Sequence, residues 1–209
     1  MLNSPTLHLV RHGQSAWNEA GLLQGQTDHP ELTELGRAQA GLAADALAGT
    51  GSVRLLTSDL RRAKQTAEII GRTLGLTPIS TSLLREQSFG LLEGLSTQRA
   101  RARWKEATLG AVDEYGDALP FVDVRPAGGE SMRDVLARVG AVLATPWVAE
   151  STGNVVIVSH GDTLRILLAH VLGDDFENLQ WREIANGEVH SVLRTATGEM
   201  VHTRSPNRT

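Results

Sequence analysis

Three short stretches set a histidine or an arginine at the point where an apolar run stops. Arg11-His12-Gly13 follows Leu7-His8-Leu9-Val10, Arg61-Arg62 lies just past Val53-Arg54-Leu55-Leu56, and His160-Gly161 closes the run at Asn154–Ser159. Phosphoryl transfer to a side chain needs a nucleophile, cations to hold the phosphoryl oxygens, and an acid for the leaving oxygen. A neutral imidazole at His12 attacks phosphorus in line once its other ring nitrogen is held as a donor to a backbone carbonyl. Nearby cations depress its pKa and keep it neutral near pH 7. Arg11 is the adjoining clamp. His160 is placed to donate to a phosphoryl oxygen, and the helix beginning at Gly161 adds free backbone N–H groups and a positive dipole end. Asp162 reads as the cap of that helix. Arg61 and Arg62 lie ~100° apart on a helix, so only one of them faces a pocket squarely.

The elements that must position these residues alternate along the chain. Residues 6–10 and 53–56 read as strands, and 154–159 (VVIV at its centre) as a strand buried on both faces. Helices are expected over 33–49, with a stripe of Leu35, Ala38, Leu42 and Ala46, and over about 59–74, ending near Gly75. Residues 78–82, with Pro78, suit an edge strand. A helix follows over 96–109, then a surface excursion rich in Gly, Asp and Pro over 110–128. Ser131 with Asp134 forms a capping box for a helix whose stripe is Val135, Val139, Val142 and Leu143. A helix over 162–172 and strands near 188–195 and 199–204 complete the chain. The pattern predicts an α/β class: a single three-layer α/β/α domain over 1–209, with a mostly parallel central sheet, helices on both faces, and a frayed tail at 203–209.

Composition excludes several functions. The chain has 209 residues, a formal net charge of −4 and no cysteine. An acidic balance argues against a nucleic-acid partner, and the lack of cysteine rules out a cysteine-nucleophile phosphatase. No apolar run approaches a membrane span, and the start MLNSPT does not resemble a signal peptide, so a cytoplasmic protein is expected. No phosphate-binding P-loop appears, which excludes a nucleotide-driven kinase. His8, His29, His170, His190 and His202 show no metal-ligand spacing, so neither metal nor cofactor is expected.

The stretches LVRHGQSAWN at 9–18, SDLRRAKQTA at 58–67 and VSHGD at 158–162 together resemble the histidine phosphatase superfamily, also called phosphoglycerate mutase-like. The resemblance runs from Leu7 to about Leu168 and is thin after residue 175. It implies a phosphohistidine on His12, with Arg11, Arg62 and His160 holding the phosphoryl group. The pattern Ser58-x-Leu60-x-Arg62-Ala63 selects Arg62 and leaves Arg61 to solvent. Glu86, three residues before Phe89-Gly90, matches the proton donor of the family, and Glu93 is taken as a solvated surface residue. The same resemblance carries over Asn18 and Gly161 as phosphate contacts, Gln24-Gly25 as pocket rim, and Ser15 as a substrate contact.

Two activities share such a site. A mutase must grip a sugar acid and exclude water, whereas a phosphatase must admit it. The mutases of this family carry a tyrosine where this chain has Phe89 and a lysine where it has Thr97, and a longer insert before Gly128-Gly129-Glu130-Ser131. The basic run Arg99, Arg101, Arg103 and Lys105 divides over two helix faces, as on a solvated helix. The expectation is therefore a phosphomonoesterase acting on small phosphorylated metabolites. A cofactor-dependent phosphoglycerate mutase is the alternative, and a non-catalytic phospho-ligand module a remote one.

Overall fold

The computed structural model describes residues 5–195 and 197–205. In chain order the elements are β1 (Leu7–Arg11), α1 (Ala16–Glu19), α2 (Glu34–Leu47), β2 (Ser52–Ser58), α3 (Arg61–Leu74), β3 (Ile79–Thr81), α4 (Thr97–Thr108), α5 (Met132–Leu143), α6 (Pro146–Ala149), β4 (Asn154–Ser159), α7 (Gly161–Leu172), β5 (Val189–Arg194) and β6 (Met200–Ser205). The six strands form one mixed sheet in the order β3-β2-β4-β1-β5-β6. The first four in that order run parallel, while β5 and β6 join antiparallel at one edge.

Side-chain alternation along the central strands divides the core in two. Leu9, Leu56, Val155 and Ile157 point to one face and pack with Val135 and Val139 of α5 and Leu164 and Leu167 of α7. Their neighbours Val10, Leu55, Val156 and Val158 point to the other, against Ala43 and Leu47 of α2 and Ala67 and Ile70 of α3. The chain leaves β1 toward α2 on one face and leaves the adjacent β4 toward α7 on the opposite face. Such a reversal between neighbouring parallel strands opens a crevice beyond their carboxyl ends, where α/β sheets bind ligands.

Several expectations need correction. The buried face of α2 is Gly36, Gln39, Ala40, Ala43, Ala44 and Leu47, whereas Leu35 and Leu42 are exposed. Close approach selects that face. A Cβ on Gly36 would sit 2.0 Å from the Gln14 carbonyl oxygen, and one on Gly13 would sit 2.1 Å from that of Gly36. Only small residues let α2 reach the loop after β1. The excursion at 110–128 is a surface feature only in part, since Val122 and Val124 are buried. The expected frayed tail begins too early: residues 203–205 pair with β5 as the end of β6, and 206–209 lie outside the described residues. No helix among the described residues is long and apolar enough to cross a membrane.

Candidate active site

His12 follows the last residue of β1. Its backbone N–H donates to the Ser159 carbonyl at 3.0 Å, extending the β1–β4 pairing by one step. The ring is fixed at both nitrogens. Nδ1 lies 2.7 Å from the Gly13 carbonyl oxygen, and Nε2 lies 3.3 Å from Nε of Arg62. A carbonyl only accepts and a guanidinium only donates, so the proton belongs on Nδ1 and the lone pair on Nε2. Burial, then the charges of Arg62 and Arg11, hold the His12 pKa well below its ordinary value. The ring is thus neutral at physiological pH, and its Nε2 electron pair accepts from Arg62.

Arg62 stands in the first turn of α3 and is 1% exposed. Its terminal nitrogens donate to the carbonyls of Thr27 and Gly25, each at 2.8 Å. These bonds hold the guanidinium in place while leaving each nitrogen a second N–H. Burial pulls its pKa down to about 10, still a cation at neutrality. Arg61, one step around the helix, pairs with Glu31 and is about half exposed. Arg11 donates from Nη1 to the Ile184 carbonyl at 2.6 Å, and its Nε has no partner among the described residues.

His160 follows β4 and lies edge-on to His12, with ring centroids 5.0 Å apart. It is fully buried, neither ring nitrogen finds a partner among the described residues, and its pKa is held well below the ordinary value, chiefly by burial and then by Arg62. Unpartnered buried donors are uncommon and mark places where a ligand completes the bonding. His160 stays behind the cavity wall that His12, Arg11 and Gly161 form.

Glu86 follows β3. Its carboxylate accepts from the backbone N–H groups of Asp162 at 3.2 Å and Thr163 at 3.0 Å, and from the Thr163 hydroxyl at 3.2 Å. The amides expected to face phosphate at the start of α7 are therefore held by Glu86. Asp162, expected as the cap, instead pairs with Arg165. It lines the same cavity, and burial followed by the charge of Glu86 raises its pKa to about 6.

The remaining candidates divide. Asn18, Gln24 and Gly25 line the cavity. Ser15, expected to touch substrate, is fully buried and caps α1, its hydroxyl donating to Gln24 at 2.7 Å and its backbone N–H to Asn18. Glu93 is not a solvated residue: it accepts from the backbone N–H groups of Gln26 and Phe89 and from the Thr27 hydroxyl, tying the rim together.

Sequence reasoning missed several supporting residues. Arg138 donates to the carbonyls of Leu83 and Glu86 and pairs with Glu130, holding the Glu86 backbone in place. Asn186 donates to the His12 carbonyl, and the Glu188 carbonyl accepts from Arg11. The Arg138 contacts to Leu83 and Glu86 span 55 and 52 residues of chain and the Asn186 contact spans 174, and no local spacing announces them.

Residues 7–205 match the histidine phosphatase superfamily (branch 1). A protein of Yersinia pestis (strain Pestoides F), described as a probable phosphoglycerate mutase, GpmB, is 35% identical over 170 residues, covering 80% of this chain and 74% of its own. The structure of a mycobacterial glucosyl-3-phosphoglycerate phosphatase superposes with a TM-score of 0.76 at 30% identity, covering 96% of this chain and 98% of that one. A putative alpha-ribazole-5'-P phosphatase from Escherichia coli K-12 shares the fold, with a TM-score of 0.77 at 23% identity over 96% and 95% of the two chains.

Proposed function

Because the chain belongs to the histidine phosphatase superfamily (branch 1), we propose that it is a phosphomonoesterase working through a phosphohistidine on His12, without a metal ion. The observation that carries this reading is the fixed tautomer of His12, whose Nε2 lone pair stands beside Arg62 in the cavity wall. Nε2 attacks phosphorus, the P–O bond to the alcohol breaks, and its electron pair goes to the leaving oxygen. Glu86 gives that oxygen a proton. Water then attacks the phosphohistidine as Glu86 takes a proton back, releasing inorganic phosphate and restoring His12. The guanidinium of Arg62 and the Nε of Arg11 supply charge and donors to the phosphoryl oxygens, and the neutral ring of His160 packs edge-on against His12 behind them.

Hydrolysis is favoured over a mutase reaction by the lining of the cavity. Phe89 and Thr97 both face it, and these are the positions where the resembling mutases carry a hydroxyl and a lysine. The Yersinia relative keeps the mutase reading alive as the alternative. One experiment tests both. Incubation with isotopically labelled 3-phosphoglycerate and with p-nitrophenyl phosphate, in the presence of a chelator, should trap acid-labile phosphohistidine and release phosphate. Isomerisation of 3-phosphoglycerate with little phosphate released would establish the mutase, and activity lost to the chelator and restored by Mg²⁺ would overturn the metal-free mechanism.

A further inference from the structure

Beyond the residues that hold phosphate, the cavity changes character. It has a volume of about 380 Å³, and its lining includes Leu22, Leu92, Met132, Trp104, Phe121 and Trp181. α4 turns Thr97, Ala100, Arg101 and Trp104 inward, the spacing of one helix face. The ring of Trp104 meets that of Phe121 edge-to-face with centroids 6.3 Å apart. Trp181 lies over the guanidinium of Arg165 at 4.0 Å, and Arg165 is itself tied to Asp162 and the Arg182 carbonyl. Phe121 is 53% and Trp181 62% exposed, so large apolar surface stands open at the mouth of a polar floor.

Several polar side chains along this wall are already engaged, Arg101 being the exception. The Thr97 hydroxyl donates to the Gly21 carbonyl at 2.9 Å, and the Gln87 amide donates to the Glu130 carbonyl at 2.6 Å. The Gln24 carbonyl oxygen accepts from Ser15, and Asp162 pairs with Arg165. Away from Arg101, a leaving group rich in hydroxyls would give up water there and meet few free partners, at a cost for each buried hydroxyl. An alkyl chain or an aromatic ring would instead cover Trp104, Phe121 and Trp181 and gain by leaving water.

We infer that the enzyme selects phosphomonoesters whose alcohol is apolar, aryl or alkyl, and that Trp104 and Phe121 read that group. This rests on the phosphatase reading above and names its substrate class. Phosphate on the floor orients the ester, and the apolar wall recognises the alcohol through burial alone. Sugar phosphates and phosphoglycerates, which carry the same phosphoryl group on a polar frame, gain nothing from the wall.

The test uses n-alkyl phosphates from ethyl to hexyl, whose leaving alcohols are nearly equal in acidity, so that changes in kcat/KM report binding and not chemistry. For the wild type, kcat/KM should rise about fourfold per methylene until the cup is filled. Glucose 6-phosphate and 3-phosphoglycerate should fall below butyl phosphate. Trp104→Ala should flatten the slope and Trp104→Phe should restore most of it; Phe121→Ala, whose ring is half exposed, carries the same expectation if Trp104→Ala does not fold. In parallel, calorimetric binding of the matching alkylphosphonates to the wild type reads the cup without turnover. Hydrolysis with a flat slope in both series overturns the apolar preference and leaves the phosphatase standing. A phosphonate slope with no hydrolysis of any ester keeps the cup and removes the phosphatase. Preference for 3-phosphoglycerate would show that Arg101 reads a carboxylate, and the inference would fail.

Discussion

The two ends of the cavity are built by different means. At the floor, His12, Arg62 and Glu86 each make two or more hydrogen bonds to backbone or buried groups, and each follows a strand of the parallel sheet. At the mouth, Trp104, Phe121 and Trp181 come from a helix and loops and touch one another or Arg165 through ring faces and edges. Chemistry demands atoms held to within tenths of an ångström, which rigid strand ends and hydrogen bonds provide. Recognition of an apolar group demands only area and shape, which side chains on helices and loops supply. One fold can therefore keep its reaction while its substrate changes.

The comparison is broken most severely at His12. His12→Ala should abolish turnover and phosphoenzyme formation together, because it removes the proposed attacking atom, Nε2; rapid-quench labelling checks both. Arg62→Ala should slow kcat by about 10²–10³, the cost of losing a preorganised charged donor. Arg61→Ala, at a half-exposed pair on the same helix, should change steady-state rates little. A dead Arg61→Ala beside an active Arg62→Ala would reverse the assignment.

Glu86→Gln should slow alkyl phosphates by about 10², at the low end for general acid catalysis. It should affect p-nitrophenyl phosphate far less, since that leaving group hardly needs a proton. With the activated ester the phosphohistidine should accumulate, because the same carboxylate activates water. Equal slowing of both esters without accumulation would remove Glu86 from this role.

The floor should also set the acid stability. His12 and His160 are held neutral in the fold, while the unfolded chain binds protons at histidine near pH 6.5. Below that pH the unfolded state binds more protons, so stability falls by about 1.4 kcal/mol per pH unit for each. Asp162 acts in the opposite sense: with its pKa raised from 3.8 to about 6, it adds stability at low pH that fades as pH rises through that window. Two histidines outweigh one carboxylate, so the urea midpoint should drop between pH 6.5 and 5; a midpoint that rises on acidification would contradict the buried neutral rings.

The smallest effects fall on α2. Gly36→Ala places a Cβ against the Gln14 carbonyl and should destabilise by about 1–3 kcal/mol, as overpacking does. Leu42→Ser, on the exposed face, should stay within about 0.5 kcal/mol. Thermal melts of the two variants compare them directly.

Much was legible in local sequence because its physics is local. The strands that end at Arg11 and Ser159 show as apolar runs, and α2 and α5 announce themselves through Thr33 and Ser131, whose side chains cap their own helices. The family motifs pointed to His12, Arg62, His160 and Glu86; the first two and Glu86 line one cavity, and His160 lies behind it, edge-on to His12. The helices that carry the site follow another rule. Neither α3 nor α7 has a side-chain cap of its own; Asp28 accepts from the Arg61 N–H, and Glu86 accepts from the first turn of α7. Asp162 looked like the cap because a carboxylate at that spacing often is one, yet a carboxylate from 76 residues away holds those amides. The buried face of α2 was equally hidden, since its composition favours Leu35 and Leu42 while backbone approach favours Gly36 and Ala40. By itself the sequence determined the strand ends, through periodicity, and its family resemblance named the candidate residues that follow them. The tertiary structure alone decided which proton His12 carries, what holds Glu86, and that Trp104, Phe121 and Trp181 share a wall, because each depends on partners that only folding brings within bonding distance.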